Sequence, residues 1–198
     1  MQSTPARQPM STKDTAAGYG WVSIALHWIT AIWIIVLLFL GNTIETLSGD
    51  ERQVALIKHT SIAMSGYGFL LARIVWRFYS GHPNATEEQR GFTFTLGTWV
   101  HTVILVALIL MLLSGPLMVW SGGSPIVVFD WFRLATPLPT SPAANSFFHS
   151  VHTWSALAVF ICTLLHFIGV YKHTAFNQDG TLTRILIADR QSSNEKGS

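Results

Sequence analysis

Four histidines, His27, His59, His152 and His166, stand in stretches of the chain that otherwise hold mainly apolar residues. Imidazole is a common metal ligand, and two imidazoles can hold one haem iron from its two faces. Four such residues therefore predict two haem sites, provided that the fold brings them together in pairs. Whether it does so depends on the elements that carry them.

The composition is typical of a membrane protein. Only 11% of the 198 residues are charged, against about 25% in soluble domains, and the mean hydropathy is +0.39. Three windows are almost free of charge and reach the roughly 20 residues that cross a bilayer. They run from about Trp21 to Gly41, from Gly97 to Trp120 and from Phe147 to Tyr171.

A fourth window, from about Val54 to Tyr79, is less apolar because it contains Lys58 and Arg73. The stretch between these cations covers about 21 Å at ~1.5 Å per residue, so both must extend outward for the helix to span. Its small residues would let a neighbour approach the backbone closely. We therefore predict an all-α fold, a four-helix transmembrane bundle over residues 21–187.

The charges outside the helices orient this bundle. Nine Lys and Arg residues lie before the first helix, in the second connection and after the last helix, and three lie in the other two connections. The positive-inside rule then places both termini in the cytoplasm. We expect residues 1–20 to be a polar cytoplasmic segment without a removable signal peptide, and residues 188–198 a polar, disordered tail.

Depth in the membrane pairs the histidines. The first helix runs outward from His27 near the inner surface, and the second starts near His59 at the outer surface. The fourth runs inward, with His152 near its outer end and His166 fourteen residues later, about 21 Å deeper and within about 40° of the same face. We therefore expect the pairs His59/His152 and His27/His166. His149 lies about 100° off that face.

Iron held by two imidazoles has six ligands and carries electrons without an open position for oxygen. A zinc or copper site is less favoured, since the pairs lie at different depths and no carboxylate or thiolate accompanies them. An interpretation of another class is a haem-free transporter or assembly scaffold whose histidines hydrogen-bond between helices. Asp and Glu are absent from the four predicted spans, which makes proton-coupled transport less favoured.

The rest of the chain offers fewer signals. The longest connection, residues 121–146, contains four prolines, and a loop of that length on the outer face is expected to cover or shape a site. The net charge of +2 requires no nucleic-acid partner. The single cysteine, Cys162, excludes an intrachain disulfide and is expected to pack as a small apolar residue.

The residues around the histidines resemble the bacterial cytochrome b561 family of compact di-haem, four-helix membrane cytochromes, which is related to the b-type subunits of hydrogenases. The resemblance covers about Gly20 to Ile187. It is carried by Ile24-Ala-Leu-His-Trp28, Ile57-Lys-His-Thr-Ser61 with Gly66, Arg73 and Arg77, Gly97-Thr-Trp-Val-His101 with Gly115, the spacing of His152 and His166, and Asp179-Gly-Thr-Leu-Thr-Arg184.

This resemblance implies that His27, His59, His152 and His166 are the axial ligands of two haems b. It also implies an inner-membrane oxidoreductase that passes electrons between a periplasmic donor and quinone; the activity best described in the family oxidises superoxide and reduces ubiquinone. The expected partners are membrane lipid, quinone and superoxide, with a second copy or a redox protein as a further partner. A competing interpretation is a haem-binding anchor and electron-transfer subunit of a dehydrogenase or hydrogenase.

Five further residues are expected around the haems. His101 enters its helix near the inner surface, where it competes as an iron ligand or hydrogen-bonds to a haem propionate or to quinone. Arg73 and Arg77 either neutralise propionates or extend to lipid phosphate. Gly66 and Gly115 either leave room for the porphyrin edge or make close helix contacts.

Charges on the outer side of the membrane affect which electron donor the outer haem attracts. A positive potential around the outer haem would attract an anion such as superoxide. The cations expected there are Arg52, Lys58, Arg133 and protonated His149, while Glu45, Asp50 and Glu51 on the same side oppose them.

Overall fold

The computed structural model describes residues 9–81, 83–84, 91–129, 131–178 and 180–189, with the side chains at 92 and 93 excepted. Its long helices are α1 (Trp21–Thr46), α2 (Gly49–Tyr79), α3 (Phe92–Ser121) and α4 (Pro142–Lys172). A π-helical turn, His173–Asn177, prolongs α4, and the short α5 (Thr181–Leu186) follows. Between α3 and α4, β1 (Ile126–Val128) pairs antiparallel with β2 (Phe132–Leu134). The prediction of an all-α fold is confirmed apart from this small hairpin.

Each window predicted from hydropathy lies inside one long helix, but the helices extend beyond the windows. In α4 the extension begins at Ser141, whose Oγ accepts a hydrogen bond from Ala144 N at 3.3 Å, with Pro142 at the first helical position. In α2 the first turn carries Asp50 and Glu51, which favour a helix amino terminus. Polar residues therefore stand at these helix ends, and hydropathy does not detect them.

Three of the long helices, α1, α3 and α4, are long and apolar enough to cross a membrane; within the described part of the chain, α2 does not reach that apolarity. The helix surfaces are nevertheless strongly apolar. Phe39, Phe78 and Trp154 are each more than 70% exposed. Large exposed apolar side chains in this number indicate contact with lipid. The span expected through α2 remains a prediction.

The long helices pack as two pairs. α1 lies along α2 and α3 lies along α4, whereas α2 and α3 meet at only a few points. Small residues occupy the contacts: Ser23 of α1 is buried and its Oγ accepts a hydrogen bond from Trp76 Nε1 of α2 at 2.8 Å. Such residues let helices approach closely. Between the two pairs the packing leaves space for a site.

The first and last described segments of the chain lie at the same end of the bundle, which we call the terminal end. Ser11 N donates to the carbonyl of Asp189 at 2.8 Å, and Asp189 N donates to the carbonyl of Tyr19 at 2.9 Å. Asp14 N donates to Ser80 Oγ at 3.0 Å, just after α2. The β-hairpin lies at the opposite end of the bundle, which we call the hairpin end. The remaining parts of the two predicted polar segments, 1–8 and 190–198, lie outside the described residues, as do Arg90 and Asp179.

Candidate functional site

An apolar cavity opens between the two helix pairs toward the hairpin end. His59 of α2 and His152 of α4 face each other across it, with ring centroids 6.3 Å apart and ring planes at 83°. All four long helices and β1 contribute to the lining, including Leu37, Met64, Met111, Leu112 and Ile126. The cavity is therefore an apolar chamber with two imidazoles.

Hydrogen bonds to α2 hold the hairpin over this chamber. Phe129 N donates to Ser61 Oγ at 2.6 Å, and Thr60 Oγ1 donates to the carbonyl of Val127 at 3.2 Å. Ile126 and Val128 of β1 are buried. The connection between α3 and α4 thus covers a site, which is the role that its length predicted.

A second facing pair lies toward the terminal end. His27 of α1 and His166 of α4 have ring centroids 6.3 Å apart and ring planes at 65°. His101 of α3 approaches the same ring, with its Nε2 3.1 Å from His166 Nδ1. Arg73 of α2 lies close enough to His27 for their charges to interact. This level of the bundle is therefore more polar than the chamber.

The centroid separation of each facing pair is close to that of two imidazoles bound to one iron. Metal–imidazole bonds of about 2 Å on opposite sides of one ion hold the two ring centroids about 6 Å apart. The 6.3 Å separations match this, whereas 3.1 Å between His101 and His166 is a hydrogen-bond distance with no room for a metal. Among the residues that the structure describes, no group of three His, Cys, Asp or Glu side chains is placed to hold one metal ion.

Polar side chains of α3 lie next to the Nδ1 atoms of both α4 histidines. His152 Nδ1 lies 3.3 Å from Ser114 Oγ, and the ring also hydrogen-bonds to the backbone of Met111. His166 Nδ1 is directed at His101. His59 Nδ1 is buried without a hydrogen-bond partner among the described residues. In both α4 rings, Nδ1 is thus the nitrogen with a side-chain partner on α3.

The four helices repeat one spacing. Each carries one position at each level of the bundle, fourteen residues apart: His27 and Gly41, His59 and Arg73, His101 and Gly115, His152 and His166. A Cβ at Gly41 would lie 3.6 Å from His59 Cε1, and one at Gly115 would lie 3.5 Å from His152 Cε1. The chamber level therefore combines two histidines with two glycines, while the terminal level combines three histidines with one arginine.

Two of the residues expected around the haems, Gly66 and Arg77, have other contacts. At Gly66 a Cβ would lie 2.0 Å from Trp33 Nε1, so this glycine makes the close contact between α1 and α2. Arg77 donates to the carbonyl of Gly81 at 3.2 Å, just beyond α2. His149 is exposed on α4.

Gly41 and Ser114 were not found from the sequence. Gly41 follows His27 by the same fourteen residues that separate His152 from His166, and that spacing could have singled it out. Ser114 has no comparable signal, because small polar residues are common on helices that pack in membranes.

Two comparisons with known proteins match most of the chain. A family model described as prokaryotic cytochrome b561 matches residues 18–187. The chain is also similar to the protein named cytochrome b561 homolog 2 of Escherichia coli (strain K12), with 30% identity over 179 residues; the alignment covers 89% of this chain and 95% of that relative. The family match includes the four long helices and both facing histidine pairs.

Proposed function

This chain belongs to the prokaryotic cytochrome b561 family, and from that premise we propose that it is a two-haem cytochrome that passes electrons from a periplasmic donor to ubiquinone. The membership confirms the resemblance seen in the sequence and makes the chain a membrane electron-transfer protein that binds haem b. The observation that supports two haems is the pair of equal 6.3 Å separations, His59/His152 and His27/His166, at two levels of one bundle.

The four imidazoles are proposed as axial ligands. His59 and His152 would hold one haem iron in the chamber, and His27 and His166 would hold the other toward the terminal end. When bound, each haem supplies a one-electron couple whose iron has no open position. The protein's part is then to hold the rings on opposite faces, exclude water from the chamber and fix the spacing of the two levels.

The residues around the rings are assigned separate roles. Arg73 is half-buried beside His27, a position suited to a haem propionate, whereas the carbonyl contact of Arg77 suits a helix end. Gly115 lies next to His152, where a Cβ would be at ordinary van der Waals distance from the imidazole, and we assign it to the room for the porphyrin edge. We assign His101 to the hydrogen bond with His166 rather than to iron, because their nitrogens are only 3.1 Å apart.

The proposed orientation places the terminal end in the cytoplasm and the hairpin end in the periplasm, with α2 as the fourth span of the inner membrane. The excess of Lys and Arg on the terminal side supports it. The chamber then lies near the periplasmic surface, where an external donor arrives.

Superoxide is the proposed donor. Two superoxide ions would each lose one electron and become O₂, while one ubiquinone takes both electrons and two protons and becomes ubiquinol. Lys58, Arg133 and His149 are exposed and would attract the anion, although Glu45 and Asp50 are exposed as well. No contact between superoxide and iron is needed for outer-sphere transfer, so the approach of the anion and the relative potentials decide the rate.

The first test is a dithionite-reduced minus oxidised spectrum of the purified chain, with haem quantified per chain as the pyridine haemochrome. We expect two haems b with low-spin α-bands. The oxidised protein is then exposed to a pulse of superoxide, with ubiquinone present or absent. We expect haem reduction that superoxide dismutase suppresses and reoxidation by ubiquinone. Two haems without any response to superoxide would support the two-haem cytochrome and contradict superoxide as its electron donor.

A further inference from the structure

α3 carries none of the four proposed ligands, yet both α4 rings direct their Nδ1 atoms at it. His166 Nδ1 lies 3.1 Å from His101 Nε2, and His152 Nδ1 lies 3.3 Å from Ser114 Oγ. α3 and α4 pack side by side in antiparallel directions. The thirteen residues from His101 to Ser114 on α3 therefore span nearly the same distance as the fourteen from His152 to His166 on α4. One helix thus supplies a hydrogen-bond partner at each level.

The direction of the bond follows from metal binding. A neutral imidazole has one proton, and when one ring nitrogen binds a metal the proton stays on the other. With Nε2 of His166 on iron, its Nδ1–H must donate and His101 Nε2 must accept. Such a partner fixes the rotation of the ligating ring and makes it a more basic ligand. A more basic ligand favours ferric over ferrous iron.

We propose that His101 is a positioning residue for the haem at the terminal end, which orients His166 through this hydrogen bond and lowers the reduction potential of that haem. The inference rests on the proposed two-haem function. It assigns to His101 a role distinct from iron ligation and from contact with propionate or quinone.

The test is a redox titration of the purified, haem-loaded protein with His101→Leu, which removes the acceptor, and His101→Gln, which keeps an acceptor oxygen. We expect both haems to stay bound in each variant. In His101→Leu, the preference of one haem for ferric iron should fall about tenfold, which raises its reduction potential by about 59 mV for one electron. The reduction potential of the other haem should not change. His101→Gln should give a smaller rise. The low-spin electron paramagnetic resonance signal of the same haem should change with it.

Ser114→Ala is the matched control on the same helix. Because Ser114 faces His152, its substitution must leave unchanged the component that His101→Leu shifts. A shift of the same component by both variants would overturn the assignment of levels. Loss of one haem in both His101 variants would show that His101 is an iron ligand. Unchanged reduction potentials in both variants would show that His101 does not tune the haem. Either result overturns the proposal. A haem-free wild-type chain, seen before any variant is made, would instead overturn the proposed function and this inference together.

Discussion

Trp33 of α1 occupies the space that a side chain at Gly66 of α2 would fill. A Cβ at position 66 would lie 2.0 Å from Trp33 Nε1, and that same nitrogen donates to the carbonyl of Ile62 at 2.8 Å. The hydrogen bond holds the indole in place, so the ring cannot move aside without losing it. The contact between α1 and α2 therefore depends on a residue without a side chain at position 66.

Gly66→Ala should destabilise the bundle. Forcing a methyl group into a filled contact typically costs about 1–3 kcal/mol, because side chains and backbone must shift. We expect a lower midpoint of thermal unfolding for the variant in detergent, followed by circular dichroism.

Gly68→Ala is the control on the same helix. Nothing lies within 4 Å of a Cβ at position 68, so the substitution should be neutral or stabilise the helix by up to about 1 kcal/mol. If both variants lost the same stability, the effect would belong to α2 in general and not to the Trp33 contact.

The sequence predicted the helices and the facing of the histidines because both depend on strong regularities. Apolar windows report contact with lipid, and a fourteen-residue spacing returns a residue to nearly the same helix face. On α4 this was enough to expect His59 opposite His152 and His27 opposite His166, and these are the rings that lie 6.3 Å apart. Their roles as iron ligands remain predictions.

Contacts within the bundle could not be predicted from the sequence. In a membrane helix the lipid face and the packed face are both apolar, so hydropathy does not show that Trp33 meets Gly66. The strands Ile126–Val128 and Phe132–Leu134 are three residues each, too short for an alternating pattern. The bond between Ser11 and Asp189 joins residues far apart in the chain, and no local signal marks it.

Ser61→Ala should loosen the hairpin over the chamber. Ser61 is completely buried, and its Oγ accepts from Phe129 N at 2.6 Å. An alanine would leave that N–H without its acceptor, at a cost of about 1–3 kcal/mol. We expect faster hydrogen exchange of the backbone amides in 126–134, measured by mass spectrometry of the detergent-solubilised protein.

Ser65→Ala provides the comparison for this variant. The Ser65 hydroxyl bonds only to carbonyls of its own helix, those of Ser61 and Ile62, in the hydrogen bonds that the structure describes. Exchange in the hairpin should therefore match the unmodified protein. Equal acceleration in both variants would show that Ser61 does not hold the hairpin.

The orientation of the bundle predicts which end a membrane-impermeant reagent can reach. In a Cys162→Ala background, Trp131→Cys places a thiol on the hairpin, where the native side chain is 78% exposed, and Lys172→Cys places one at the exposed end of α4. With the termini in the cytoplasm, a charged maleimide added to intact spheroplasts should label only the Trp131→Cys variant. Both should react after detergent lysis. Labelling of Lys172→Cys alone in intact spheroplasts would reverse the orientation.

The two facing pairs predict that each haem can be removed separately. His59→Ala should eliminate the haem of the chamber, and His27→Ala the haem toward the terminal end, because each substitution removes one of two axial ligands. Each variant should hold one haem per chain by pyridine haemochrome, and the two should lose different spectral components. His152→Ala should reproduce the spectrum of His59→Ala, and His166→Ala that of His27→Ala.

His149→Ala is the control for the loss of a histidine from α4. This residue is exposed and lies one turn from His152, so its substitution should leave two haems per chain. Loss of the same spectral component in the His59→Ala and His27→Ala variants would contradict the pairing, since both rings would then serve one iron. Matching spectra within each facing pair, and different spectra between them, can arise only if each pair holds its own haem.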